Sequence, residues 1–141
     1  AAEAWNEAEE TPNEKVYDYL DQVRERAGLE GIKETYAKYA SAQYKDYPSH
    51  KSQMRDIIHR ERQVELSCEG SYYWDTRRWK TAEKELNRIV QGWNVLNGET
   101  AEDYYIPTNI YNQQFTLRDY FAPIPDGDII RNPQLVQNPW W

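Results

Sequence analysis

The 141 residues are enough for one domain with a real core, yet the mean hydropathy is −1.04, and with twelve Tyr and six Trp much of the apolar surface comes from rings that keep a polar end. A formal net charge of −7 excludes a nucleic-acid partner, because such binding rests on Lys and Arg neutralising phosphates. A single Cys excludes an internal disulfide, and the sequence contains neither a run of ~18 apolar residues nor a charged-then-apolar leader, so no membrane span or signal peptide is read within it.

Ala1 to Glu9 is Ala- and Glu-rich and reads as helix with no cap before it, as if the helix began upstream. Thr11-Pro12-Asn13-Glu14 reads as a capping box, with Thr11 at the N-cap and Pro12 at the first helical position. Val16, Tyr19, Leu20, Val23 and Ala27 then recur at helical spacing, and Gly28 supplies the left-handed stop. Residues 1–30 are therefore expected to form an antiparallel helix pair. Tyr36, Tyr39 and Ala40 fit one helical turn before a loop to Pro48, and the rings of Tyr36, Tyr39, Tyr44 and Tyr47 are expected to pack rather than bind. Ser49 is the expected N-cap of the next helix.

That helix is the most specific part of the sequence. At 100° per residue, Met54, Ile57, Ile58, Glu61, Val64, Glu65 and Cys68 fall within one arc of roughly 120°, the width of a buried stripe. Glu61 and Glu65 lie mid-stripe, and burying an unpaired carboxylate costs several kcal/mol, so they demand cations. Arg62, Arg77 and Arg78 are the expected partners, and these five residues form a predicted structural ion-pair network. Cys68 reads as a small apolar core residue. Gly70 predicts a bend that returns Tyr72 to Lys80 toward the first helix, with Tyr72, Tyr73 and Trp74 packing against the central helix. Thr81 to Val90 is expected to continue as helix, which completes a set of core helices over 49–90.

From Trp93 onward the chain holds five prolines with many Asn and Gln, the composition of extended segments and turns. Tyr104-Tyr105-Ile106 and Phe115-Thr116-Leu117 are predicted to pair as a hairpin across 109–112. Asp126-Gly127-Asp128 follows Pro125 and reads as a turn, with Asp128 capping a short helical turn. The tail carries Phe121, Ile124, Leu135, Trp140 and Trp141 and is expected to lie across the helices as an extended strap over 91–141. The predicted fold class is mainly α in a single domain over 1–141, with a helix pair, a long central helix and a Pro-rich, loop-rich second half.

Two groups of residues carry a family resemblance. Arg60-Glu61-Arg62-Gln63-Val64-Glu65-Leu66, then Glu69-Gly70 and Trp74-Asp75-Thr76-Arg77-Arg78-Trp79-Lys80, resemble the helical core of the SusD/RagB family. Phe121-Ala122-Pro123-Ile124-Pro125, Ile129, Asn132-Pro133, Leu135 and Gln137-Asn138-Pro139-Trp140 resemble that family's C-terminal signature, and the two motifs stand in the family's order. Val23 to Leu29 is similar to the family as well. The resemblance implies that the helix pair is of tetratricopeptide-like repeat type, and that the chain is the C-terminal portion of a larger protein. It further implies a non-catalytic cell-surface lipoprotein of the bacterial outer membrane. Such a protein binds glycan and partners a TonB-dependent outer-membrane transporter, with the lipid anchor on the part that precedes Ala1. Part of the family is thought to serve peptide uptake, so a helical-repeat scaffold that binds peptide or protein is the alternative.

A hydrolase is the third reading, because Glu61, Glu65 and Glu69 stand at i, i+4 and i+8 and adjacent turns approach the roughly 5–5.5 Å carboxylate gap of a retaining glycosidase. A stripe buried by packing leaves no room for substrate, so no catalytic residue is assigned. His50 and His59 lack HExxH spacing and Asp126 with Asp128 offers too few oxygens for calcium, so neither a metal nor a cofactor is expected. For ligand contact the candidates are Trp93, Tyr104 and Tyr105, which lie in segments bounded by Pro and Gly rather than on the helical stripe.

Overall fold

The computed structural model describes residues 1–96 and 98–141. It is mainly helical, as the patterning predicts, with a small two-stranded sheet. In chain order come α1 (Ala2–Ala8), α2 (Glu14–Arg26), α3 (Ile32–Tyr39), α4 (Lys51–Glu65), α5 (Ser71–Arg78), α6 (Ala82–Leu86), β1 (Arg88–Trp93), α7 (Ala101–Tyr104), β2 (Pro107–Gln113) and α8 (Asp126–Arg131). Tight 3-10 turns sit at Ala42–Tyr44, Tyr47–Ser49 and Leu117–Tyr120. No helix among the described residues is long and apolar enough to cross a membrane. The chain forms two compact units, Ala1–Tyr72 and Tyr73–Trp141.

The first unit is built on one apolar cluster. Ala2 from α1, Val16, Tyr17 and Leu20 from α2, Ile32 from α3, and Met54, Ile57 and Ile58 from α4 are all buried, with Trp5, Tyr36 and Tyr47 packed against them. Spacings of three and four residues put each set on one helical face, so the helices meet along these stripes. Donors of two polar side chains drawn in by this packing find carbonyl partners. Tyr17 donates from its hydroxyl to the Pro48 carbonyl at 2.9 Å, and the buried Asn6 donates to the Lys51 carbonyl at 3.1 Å. Lys51 reaches the Glu7 and Glu9 carbonyls, both at 2.8 Å, which places a cation on the open carbonyls where α1 ends.

Helix boundaries follow capping chemistry. Asn13, not Thr11, is the N-cap of α2, and its side chain accepts from the Val16 backbone N–H at 3.3 Å. Asn caps as well as Thr does, and Glu14 then falls in the first turn where the helix dipole favours it. At the other end the Leu29 N–H donates to the Arg24 carbonyl and the Gly28 N–H to the Glu25 carbonyl, both at 2.9 Å, the Schellman pattern with Gly28 at φ +74° as expected. Tyr36 and Tyr39 lie on two helical turns rather than one. His50, not Ser49, precedes α4, because Ser49 is taken up in the preceding 3-10 turn.

The stripe of α4 is shorter than its sequence period. Met54, Ile57 and Ile58 are buried, whereas Val64 is 60% exposed and Cys68 is exposed in the left-handed region at φ +69°. The helix ends at Glu65, so the residues beyond no longer share its face. Gly70 marks the bend, at φ +73°, and α5 starts directly after it.

The carboxylates find cations, but not the expected ones. Glu61 pairs with Arg24 and Glu65 with Arg26, both from α2. The helix pair packs beside α4 and brings these arginines within reach. Arg77 instead donates to the carbonyls of Tyr73 at 3.0 Å and Asp119 at 3.2 Å, and Arg78 meets Asp75 at 2.8 Å. The two pairs differ in setting. Arg24 and Glu61 side chains are 10% and 24% exposed, and Arg24 also donates to the Glu30 carbonyl at 2.8 Å and to Thr35 Oγ1 at 2.9 Å. Arg26 and Glu65 are 70% and 35% exposed, so Glu65 is not the buried acid that its place on the stripe suggests.

The second unit departs further from expectation. Helix ends at Leu86, and the residues expected to continue it form β1, which pairs antiparallel with β2 from Arg88↔Gln113 to Trp93↔Pro107. The hairpin predicted between 104–106 and 115–117 is replaced by this ribbon. Ile89, Val90 and Trp93 are rich in β-branching and aromatic character, and that preference outweighs their helical spacing. A register shift between Val90 and Gln91 leaves Ile110 as the extra residue of a bulge. Tyr73 and Trp74 are exposed and meet each other edge-on at 4.9 Å, because α5 buries Asp75 and Thr76 instead. Asp128 lies inside α8 rather than capping it.

Side-chain amides organise the segments that lack regular structure. Asn87 accepts from the Phe115 N–H at 2.7 Å and donates to the Phe115 carbonyl at 3.0 Å, and Gln137 does the same for Ile124 at 2.8 and 2.9 Å. The Trp141 indole N–H is shared between the Arg118 and Phe121 carbonyls at 3.1 and 2.8 Å, which ties the tail to 118–121.

Two outcomes are expected. In denaturant unfolding of the full-length protein, Arg24→Ala should cost on the order of 2 kcal/mol, between a surface and a fully buried pair, while Arg26→Ala should cost less than about 1 kcal/mol; equal losses would refute the contrast. Asp119 accepts from the Thr116 N–H at 2.7 Å and its hydroxyl at 2.8 Å, and these bonds hold its carboxyl below the ordinary Asp value. A lowered folded pKa makes this cap stabilising above the ordinary Asp pKa and lost as pH falls through the lowered one. Asp119→Asn should therefore flatten the acid limb of the stability profile, and an unchanged limb would count against it.

Candidate functional site

Trp93, Tyr104 and Tyr105 come together in the structure. Trp93 ends β1, Tyr104 ends α7 and Tyr105 caps it. Tyr105 lies at the centre, edge-on to Trp93 at 5.5 Å and edge-on to Tyr104 at 5.1 Å between ring centroids. Trp93 is 51% and Tyr105 61% exposed, while Tyr104 is half-buried. Edge-to-face contact sets the edge of one ring on one face of the other and leaves the opposite face uncovered by that pair. The arrangement is an exposed aromatic platform.

The connection that carries these rings is tightly bonded. The Asn94 N–H donates to the Tyr104 carbonyl at 3.0 Å and its side chain to the Asp103 carbonyl at 3.3 Å, so Trp93 and Tyr104 are anchored one residue apart across the loop. Thr100 caps α7 by accepting from the Asp103 N–H at 3.2 Å and donates to the Asp103 carboxylate at 2.8 Å. Gly98 lies against this turn. A Cβ there would stand 2.6 Å from Tyr104 Cα and 2.8 Å from the Asn94 carbonyl oxygen, so only glycine fits. Thr100, Asp103, Asn94 and Gly98 hold this turn, and the aromatic pattern of the sequence does not reveal them. The Thr-x-x-Asp spacing of a helix N-terminus was the available signal.

Within the first unit Glu61 and Glu65 pair with arginines of α2. Glu61 and Glu65 line an apolar cleft of about 310 Å³ in the first unit, with Arg62, Tyr19, Leu20 and Val23 among its neighbours. Arg77 and Arg78 belong to the second unit, where the Arg77 guanidinium lies 3.4 Å from the Tyr73 ring centroid and 5.1 Å from that of Phe115. Arg78 lies 4.7 Å from the Trp79 ring centroid.

Comparison with known proteins places this geometry in a larger context. The family model of the SusD family matches residues 1–141. SusD-like protein P2 of Formosa agariphila is 30% identical over 138 residues, which cover 98% of this chain and 23% of that protein. The solved structure of selenomethionine BT4246 superposes with a TM-score of 0.75 at 28% identity over 99% of this chain and 22% of that one. A SusD-like protein from Bacteroides fragilis shares the fold at a TM-score of 0.73 and 22% identity, over 99% of this chain and 23% of that one. The chain thus spans less than a quarter of the length of the curated relative that it matches. On a match that runs from the first residue to the last, the chain belongs to the SusD family.

Proposed function

We propose that this chain is part of a non-catalytic nutrient-binding protein at the surface of the bacterial outer membrane. It takes up oligosaccharide and passes it to a TonB-dependent outer-membrane transporter, with a lipid anchor supplied outside this portion. The observation that carries the reading for this chain is the platform of Trp93, Tyr104 and Tyr105. Trp93 and Tyr105 are exposed, and the backbone bond from Asn94 to Tyr104 fixes the connection between β1 and α7 that carries them. Sugars present flat C–H faces that stack on such rings, and a preorganised loop loses little entropy on binding. Family membership supports a binding role over a catalytic one. So does the pairing of Glu61 and Glu65 with arginines, which leaves neither carboxylate placed as a free acid or base.

A second reading is favoured by one feature. The apolar cleft lined by Ala2, Leu20, Val23, Ile58 and Leu66 suits a helical or peptide segment better than a sugar, which supports a helical-repeat scaffold for peptide or protein. A glycoside hydrolase requires turnover of a reporter glycoside that Glu65→Gln abolishes.

Oligosaccharide and peptide panels titrated into the full-length protein separate these readings. Saccharide binding should be seen, and Trp93→Ala or Tyr105→Ala should weaken it about tenfold, or ~1.4 kcal/mol. Peptide binding without any saccharide binding would overturn the assignment in favour of the scaffold. Gly98→Ala touches no ring, yet its Cβ would displace the Tyr104 backbone, so it should reproduce most of the loss; wild-type affinity in that variant would argue that the loop does not position the platform.

A further inference from the structure

The first unit carries a second aromatic cleft, separate from every residue assigned above to ligand contact. Tyr36 on α3 and Tyr47 in the turn before α4 lie with their rings parallel to within 1° and centroids 6.0 Å apart, and Tyr44 meets Tyr47 edge-on at 5.9 Å. Beside them α4 presents Asp56, Ile57, Arg60 and Glu61, and together these side chains enclose an open space of about 140 Å³. Sites that take a drug-sized molecule whole run to roughly 300–1,000 Å³, so this one suits a single ring of a longer ligand.

The polar groups of the cleft are unequally engaged. Glu61 is held by Arg24. Asp56 receives only a long 3.4 Å contact from the Tyr47 hydroxyl. Arg60 stands one turn beyond Asp56 on α4, is exposed, and has neither a hydrogen bond nor an ion-pair partner among the described residues. One acceptor carboxylate and one donor guanidinium therefore remain open beside two aromatic rings. Burial holds both phenols above the ordinary Tyr range, so they stay protonated and able to donate at neutral pH. An anion would be drawn to Arg60 but repelled by Asp56, and a cation the reverse. Adjacent hydroxyls on a neutral ring satisfy both, one donating to Asp56 and the other accepting from Arg60, while the C–H face of that ring lies against tyrosine.

We propose that this cleft is a second saccharide site, which holds one pyranose ring of an oligosaccharide with Tyr36, Tyr47, Asp56 and Arg60. It rests on the oligosaccharide reading for its class of ligand, but not on the Trp93 platform. The test is amide hydrogen exchange of the full-length protein with laminarihexaose, maltoheptaose, mannohexaose and, separately, trialanine. A saccharide should slow exchange over residues 36–60. Arg60→Ala and Asp56→Asn change exposed side chains outside the core, and each should raise about tenfold the saccharide concentration needed for that protection. Protection over 93–105 should be unaffected by them, just as Trp93→Ala should leave 36–60 unaffected. Unchanged exchange over 36–60, with protection seen over 93–105, overturns the cleft and leaves the platform standing; so does protection that Arg60→Ala does not shift. Protection of 36–60 by trialanine but by no saccharide overturns the ligand class, and no protection by any saccharide anywhere overturns both proposals.

Discussion

Arg24 is the joint on which the helical unit depends. One guanidinium on α2 donates to the Glu30 carbonyl in the following loop, to Thr35 on α3 and to Glu61 on α4. A nearly buried Arg with only one of these partners would lose more in desolvation than it regained. With three, its donors are distributed among three segments that also meet through apolar side chains. The pair also explains how an acid can lie at the margin of the core formed by Met54, Ile57 and Ile58. Its charge is matched at the position where hydration is lost.

The same economy of polar contacts governs the second unit, where apolar burial is slight. A two-stranded ribbon alone is marginal in water, and both strands are largely exposed. Its base is closed by Asn87, whose amide takes the place of a strand partner for Phe115, and its far end is extended by the Asn94 to Tyr104 bond. Gln137 does for Ile124 what Asn87 does for Phe115. Side-chain amides carry a donor and an acceptor in one plane and so satisfy both backbone groups of a residue where no neighbouring strand is available. The abundance of Asn and Gln in this half thus has a structural use beyond turn formation.

The aromatic residues divide by neighbourhood. Tyr17 is inside and its hydroxyl is satisfied by Pro48, whereas Trp93 and Tyr105 stand in the open. A chain this hydrophilic cannot bury all of its rings. Trp93 and Tyr105 flank a connection fixed by the Asn94 to Tyr104 bond, which holds them at low conformational cost. Carboxylates on α4 that sequence spacing brings toward one another are drawn off by α2.

The sequence by itself determined the helical class, the Gly28 and Gly70 breaks, the Met54, Ile57 and Ile58 face, the presence of carboxylates that needed cations, and the two motifs of the SusD family. Each of these depends on local spacing or on the φ freedom of one residue. Tertiary structure alone decided which cations answered Glu61 and Glu65, because Arg24 and Arg26 are some forty residues away in sequence and reach α4 only once the helices have packed. It also decided that residues 88–93 became a strand. Their helical and extended preferences are close enough for pairing with 107–113 to outweigh the local pattern. The aromatic platform combines both sources: composition supplied Trp93, Tyr104 and Tyr105, and the close approach of Gly98 to the Tyr104 backbone brought them to one place.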